Sequence, residues 1–456
     1  MLRTARSRLQ GLTSSRALRF GAKLAAWAGL ALGGLLLATL LSGKAILNGY
    51  GRSRLQRTFA AAHPGCQLRL GPLRYALGGN RLEAESVTVT AAAATFQAGR
   101  VSLSGVRWGR LLFRTRPLAE SLAEASLQAS GLELRLPRDD YGLRCASLSG
   151  SVASGDLLAV AAELYPLVAD EPFFAASRYR RTRFHLRIPR CQVAGLGYAD
   201  LFQGLACRAR SIAVSDPTFD ALASRWKPLP PLVHPPLMVN EALAGIGMPL
   251  TIDRISLTGG HVAYGERTVA GTRPGVLVFT AVQLAAQDIG NQGAAAIALQ
   301  LQGRLMGAGL LQADLSLPVA PGPLALRCSG TLGGMELTRL NGFLEGAERI
   351  RIRSGKLRFL AFDLHVQAGQ ARGQVRASFR DFRLSLQDQQ TGKEKGLGKR
   401  IASFVANRFK LRQDNGPDLP GGARVGTVAY RRKPEDSFIQ VLWFSLRSGV
   451  LDVIKR

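Results

Sequence analysis

The chain has 456 residues, 46% of them hydrophobic, and a formal net charge of +29 at pH 7. That length allows roughly two or three ordinary domains or one long repetitive one, and the apolar share excludes a chain disordered throughout. Arginine dominates the basic residues and points to anionic surroundings, whereas the five cysteines (Cys66, Cys145, Cys191, Cys207, Cys328) form no CxxC pair and read as buried free thiols rather than a zinc site or disulfide framework.

Residues 1–23 carry Arg3, Arg6, Arg8, Arg16, Arg19 and Lys23 without an acid, and residues 24–43, "LAAWAGLALGGLLLATLLSG", carry no charge at all. At about 1.5 Å per residue the uncharged run covers a hydrocarbon core of roughly 30 Å, so a transmembrane anchor is expected there, with the basic segment on the cytoplasmic side. A cleaved signal peptide is the competing expectation, because Gly43-Lys44-Ala45 offers small residues at a cleavage spacing. Both export the rest of the chain, and no later stretch resembles a second span. Over 44–65, Ile46, Leu47, Tyr50, Leu55 and Phe59 recur at helical intervals among arginines up to Pro64-Gly65, which predicts an amphipathic helix at the membrane surface. The first acid of the chain is Glu83, so this end forms a basic collar suited to anionic headgroups.

From 66 to 226 the period changes to two. Val87 and Val89 alternate with Thr88 and Thr90, and Val101 and Leu103 continue the manner, which predicts half-buried strands. A unit of strand, small turn and strand recurs at irregular spacing, at 86–97, 126–136, 211–222 and 254–266. In the last copy Thr258-Gly259-Gly260 reads as a hairpin turn, and His261 as the first residue of the return strand. A helical patch is expected near 217–226. Five prolines between Arg225 and Met238 make 227–251 a Pro-rich connection.

The second β-region, 252–386, is more regular. Ile255 and Leu257 share one strand face, and Val262 and Tyr264 another. Ile297, Leu299 and Leu301 precede a turn at 307–309 and a return through Leu311, Ala313, Leu315 and Leu317. Ile350 and Ile352, then Leu357, Phe359 and Ala361, then Val375, Ala377 and Phe379, follow with glycine-containing turns between them. Arg349, Arg351, Arg353, Arg358, Arg376 and Arg380 occupy the opposite face, as on an antiparallel sheet with one solvated side. Apart from a short helical candidate at 335–346, little is left to cover the apolar face. The sheet therefore closes on itself or leaves a groove, whose candidate lining is Ile255, Leu257, Val262, Tyr264, Ile297, Leu299, Leu301, Leu311, Leu315, Leu357, Phe359 and Phe379. The remainder, 387–456, reads as a polar linker around an apolar helical stretch at 401–409, then terminal strands and an amphipathic helix carrying Phe438, Val441, Leu442, Leu446 and Val450. "KEKGLGKR" lacks the Gly and Ser/Thr of a phosphate loop, and the five histidines form no ligand pair. No catalytic residue, cofactor or metal is expected, and the charge alternates along strands of an exported chain rather than forming a nucleic-acid patch.

The single N-terminal span, the unit "MPLTIDRISLTGGHVAYGERT", the following "PGVLVFTAVQLAAQDIGN", the 349–386 meander and the ending "GTVAYRRKPEDSFIQVLWFSLRSGV" together resemble the AsmA-like proteins of the bacterial envelope, the group with TamB- and YhdP-type members. The resemblance implies a long, curved, twisted antiparallel sheet, taco-like with a hydrophobic groove, behind an N-terminal transmembrane helix and ending in a short amphipathic helix. It also implies a single-pass inner-membrane protein with its bulk in the periplasm, handling phospholipid or another acyl-chain lipid, with possible envelope protein partners. A non-catalytic scaffold is the alternative role.

Overall fold

In the computed structural model the structure describes residues 48–49, 52–76, 79–107, 118–231, 235–293, 296–319, 322–386, 411–420 and 422–455. The expected anchor at 24–43 and the helical stretch at 401–409 lie outside the described residues. Among the described residues no helix is long and apolar enough to cross a membrane. Two compact units emerge. One comprises the described residues up to Val168 together with Leu186–Ser215 and Gly245–Arg254; the other comprises Ala169–His185, Asp216–Ala244 and the described residues from Ile255 onward.

The first unit begins with helix α1 (Arg52–Ala62), inside the helix expected over 44–65. Its Phe59 is not offered to lipid: it packs with Leu68, Leu70, Leu73, Leu82, Ala84, Val87 and Val89 in a buried cluster. The strands are β1 (Cys66–Arg69), β2 (Leu73–Ala76), β3 (Arg81–Ala91), β4 (Ala94–Ser104), β5 (Ser126–Leu136), β6 (Tyr141–Ser151), β7 (Asp156–Pro166), β8 (Thr182–Ala194) and β9 (Cys207–Ser215). From β2 to β9 each strand pairs antiparallel with the next, and β1 pairs with β3. The alternation expected from Val87 and Val89 is present, with one addition. The pairing skips one residue per strand along a continuous line: Ser86, Gly99, Gly131, Ala146, Ala161 and Pro189. Every other member has a left-handed backbone, with φ of 52° at Ser86, 61° at Gly131 and 51° at Ala161. This crease shifts the phase of the side chains, so β3 buries Leu82 and Ala84 before it and Val87 and Val89 after it. Segment 126–136, expected to be strand, turn and strand, is therefore the single strand β5, kinked at Gly131.

The second unit contains helix α2 (Asp170–Ala175) and strands β10 (Thr218–Ser224), β11 (Leu250–Arg267), β12 (Gly275–Gly290), β13 (Ala296–Leu305), β14 (Gly309–Pro318), β15 (Leu326–Leu332), β16 (Met335–Glu336), β17 (Ile350–Gln367), β18 (Gln370–Leu386) and β19 (Val425–Arg431). Residues 218–224, expected to be helical, are thus a strand. β10 runs parallel to β11, from Thr218 opposite His261 to Ser224 opposite Arg267. A parallel pair needs a long crossover, and the Pro-rich connection supplies it, with a short helix at Val239–Ala244. The pairs β12–β13, β13–β14, β14–β15, β15–β17, β17–β18 and β18–β19 are antiparallel. Helix α3 (Asn341–Ala347) confirms the short helical candidate. The terminal helix α4 (Phe438–Ile454) opens with a capping box between Ser437 and Gln440. It packs through Val441, Ser445, Gly449 and Val453, four residues apart, all buried. At Gly449 an added Cβ would stand 2.5 Å from Val375 and 2.8 Å from Val428, so glycine is what lets this helix lie against β18 and β19.

The expected hairpin at Thr258-Gly259-Gly260 is not a turn. β11 continues through it as one strand of 18 residues. Gly259 has φ of 69°, and a Cβ there would collide with the Asp216 carboxylate. Ladder bonds persist on both sides, with Asp216 N–H donating to Thr258 O at 2.8 Å and His261 N–H to Pro217 O at 2.8 Å. The glycine makes a kink inside a strand. The glycine turn expected between Ile352 and Leu357 resolves the same way: Gly355 lies within β17.

Candidate functional site

Cross-strand registry builds one continuous row of side chains in the second unit. Leu284 of β12 faces Leu301 of β13, which faces Ala313 of β14, then Gly330 of β15, Phe362 of β17 and Val375 of β18. A second row runs Ala286, Leu299, Leu315, Cys328 and Leu364. Adjacent residues of a strand point to opposite faces, so both rows share one apolar face, while Gln300, Gln312 and Ser329 lie exposed on the other.

Over the first row lies a trough of about 750 Å³. Five strands each line it with three consecutive residues, centred on Leu257, Leu284, Leu301, Ala313 and Gly330, and Phe362 stands at the end. Nine of the sixteen lining residues are polar: Ser256, Thr258, Gln283, Gln300, Gln302, Gln312, Asp314, Ser329 and Thr331. Ala313 and Phe362 of the row are buried, each 7% exposed, and a Cβ on Gly330 would lie 2.6 Å from the Phe362 ring, so that ring packs over the glycine.

The twelve expected lining residues divide into five groups. Leu257 and Leu301 line the trough. Leu299, Leu311 and Leu315 are half-buried on the same face, and Ile255 is half-buried in β11. Ile297, Leu357 and Phe379 are packed core, exposed by 6%, 5% and 3%. Phe379 rests against Phe382 with ring centroids 5.8 Å apart. Val262 and Tyr264 lie farther along β11, opposite Phe219 and Ala221. Phe359 faces solvent, 47% exposed, because Arg358 is an extra residue between the pairs Leu357–Phe379 and Phe359–Ser378. That bulge turns the rest of β17 over, and Phe362, Leu364 and Val366 are buried in place of Phe359 and Ala361.

Leu284, Ala313, Gly330 and Phe362 escaped expectation for related reasons. An extra residue between Thr280 and Gln283 breaks the β12 alternation before Leu284. Ala313 stands in the correct alternation but is too small to read as lining, and Gly330 has no side chain to read.

The Glu-Arg pair at the end of β11 is buried, Glu266 and Arg267 each 8% exposed. The Tyr264 hydroxyl donates to Glu266 at 2.8 Å, and Arg225 donates to the same carboxylate. Arg267 donates to Glu171 at 2.5 Å. Burial, then the Glu266 charge, holds the Tyr264 phenol well above its ordinary value. These contacts tie the start of the crossover, at Arg225, to β11 and α2. Burial, with Asp314 and Asp363 nearby, pushes the Cys328 thiol up to about 11, which keeps it protonated and unreactive near neutrality. Among the described residues no group of three or more His, Cys, Asp or Glu could hold a metal ion.

No family model matches the chain, and no curated protein matches it. The architecture is of large, mainly antiparallel β ladders in which β10 runs parallel to β11, consistent with groove-type β proteins.

Proposed function

We propose that the protein is a non-catalytic, AsmA-like envelope protein that holds the acyl chains of phospholipid or another lipid on the apolar face of its second unit, behind a single inner-membrane span with its bulk in the periplasm. The observation that carries this reading is the apolar face itself, where Leu284, Leu299, Leu301 and Leu315 stay half-buried in two continuous cross-strand rows. Each methylene taken from water contributes about 0.8 kcal/mol, so such a surface binds acyl chains without any reactive group. The resemblance in sequence supports the same role, and the basic N-terminal segment supports the orientation.

The scaffold alternative is favoured by the degree of packing elsewhere on the same face, where Leu364, Val366 and Val375 are 0%, 3% and 0% exposed. Purification of the whole chain followed by mass spectrometry of extracted lipid separates the two. Wild type is expected to carry acyl lipid, Leu301→Asp to lose at least about tenfold of it, and Ser316→Asp, exposed on the opposite face, to retain it, with unchanged circular dichroism in all three. Lipid-free wild type, or Leu301→Asp as loaded as wild type, would sink the lipid reading.

A further inference from the structure

We infer that the solvated face of β17, β18 and β19 is a docking surface for an anionic phospholipid bilayer, with Phe359 and Val425 entering its apolar layer and Arg358 and Arg380 holding a headgroup phosphate. This face is opposite to the one assigned to acyl chains above, and its role stands whether or not that assignment does.

Registry places the apolar members. Val425 of β19 lies opposite Arg376 of β18, which lies opposite Ala361 of β17, and in the next row Phe359 faces Ser378. Residues two apart on a strand share a face, so Phe359, Arg376, Arg380 and Val425 share one. Phe359 is there because of the bulge at Arg358, for strict alternation from Leu357 would have put it on the apolar side. Bulges re-aim side chains. This one brings a large aromatic out among arginines, where it is 47% exposed, with Val425 at 41%.

The charge comes from the same strands. Four exposed basic residues on β17 and four on β18 stand against one exposed acid on each, Asp363 and Asp381. Arg376 and Arg383 have no acidic partner among the described residues. Arg358 and Arg380 share one exposed carboxylate, Asp418, at 3.3 and 3.2 Å. A solvent-exposed pair of this kind holds weakly, and a phosphate fits the same guanidinium fork. Asp418 therefore occupies the seat that a headgroup takes on docking. An anionic bilayer meets both features at once, with phosphates at its surface for the arginines and hydrocarbon just beneath for Phe359 and Val425. A nucleic acid offers phosphates, and bases to stack on Phe359, but nothing for Val425 to enter.

The test holds the full chain in phosphatidylcholine nanodiscs and measures its co-flotation with added vesicles, of phosphatidylcholine alone or with about a third phosphatidylglycerol. At least about tenfold more is expected to float with the anionic vesicles, an excess that falls as salt rises. Arg358→Glu/Arg380→Glu should remove at least about tenfold of that binding. Arg100→Glu/Arg190→Glu, the same change of charge at exposed residues of β4 and β8, should remove less than about twofold. Phe359→Ser should lower binding at least about threefold with charge unchanged, and Asp418→Asn should raise it about two- to fivefold by freeing the fork. Unchanged circular dichroism shows that each variant keeps its fold. Equal binding to the two kinds of vesicle, or equal loss in the two double variants, overturns the docking surface. Phe359→Ser binding like wild type overturns the insertion of the aromatic, and weaker binding by Asp418→Asn overturns the phosphate seat. Tighter binding to a short DNA duplex than to anionic vesicles, lost with Arg358→Glu/Arg380→Glu, makes the face a nucleic-acid site and overturns the bilayer assignment.

Discussion

Gly259 shows what one backbone angle decides. With φ at 69° and the Asp216 carboxylate where a Cβ would sit, Gly259→Ala is expected to cost about 1–3 kcal/mol in urea unfolding. Asp216→Ala in the same chain should recover part of that loss, because it removes the collision and leaves only the left-handed strain. Tyr198 offers a titration. Its hydroxyl donates to the Asp156 carbonyl at 2.7 Å, and burial, then the Asp156 charge, pushes its phenol up to about 12. The unfolded chain titrates near 10. A raised folded value means that the contribution is full below pH about 10 and is lost as pH rises toward about 12. The unfolding midpoint of wild type should therefore fall across that window, and Tyr198→Phe should flatten the fall. At this scale the sequence showed Tyr264 and His261 as conspicuous residues, but not that the first is locked to Glu266 or that the second sits mid-strand opposite Thr218.

Glycine punctuates this chain in two ways that look alike in sequence. Gly307, between β13 and β14, and Gly369, between β17 and β18, lie in true turns with φ of 69° and 73°. Gly131, Gly259 and Gly355 kink strands that continue. The difference is whether a neighbouring strand resumes the ladder on the far side, which is a property of the partner. The crease at Ser86, Gly99, Gly131, Ala146, Ala161 and Pro189 carries the same lesson across six strands, since no one strand reveals that its small residue is aligned with the next. Helix α4 was legible from its apolar spacing, yet its seat depends on Gly449. Gly449→Leu is expected to lower stability by about 1–3 kcal/mol by overpacking. Ile439→Ala, on a residue 68% exposed, should stay within about 0.5 kcal/mol; thermal unfolding of both variants measures the contrast.

Across the molecule, equal residues meet unequal surroundings. Ala84 is fully buried in the cluster around Leu82 and Val87, whereas Ala298 of β13 is exposed. Ala84→Leu is therefore expected to destabilise by about 1–3 kcal/mol, while Ala298→Leu stays within about 0.5 kcal/mol. Equal losses in the two melting curves would overturn this assignment of faces. The composition already required a molecule with much one-sided sheet, and both units provide it. What composition left open was where on that face the cover is thin, and the half-buried Leu284, Leu299, Leu301 and Leu315 mark it.

Strands were determined by the sequence itself, because alternation with period two is a local pattern that survives without knowledge of partners. So were the two-sided character of 349–386, with arginines opposite aliphatics, and the helical ends. The tertiary structure alone decided which glycines turn and which kink, where the bulge at Arg358 exchanges Phe359 for Phe362, and that the Pro-rich connection returns β11 parallel to β10. It alone assembled the apolar row, for Leu301, Ala313, Gly330 and Phe362 come from four strands and meet only through inter-strand registry, an interaction that no single segment encodes.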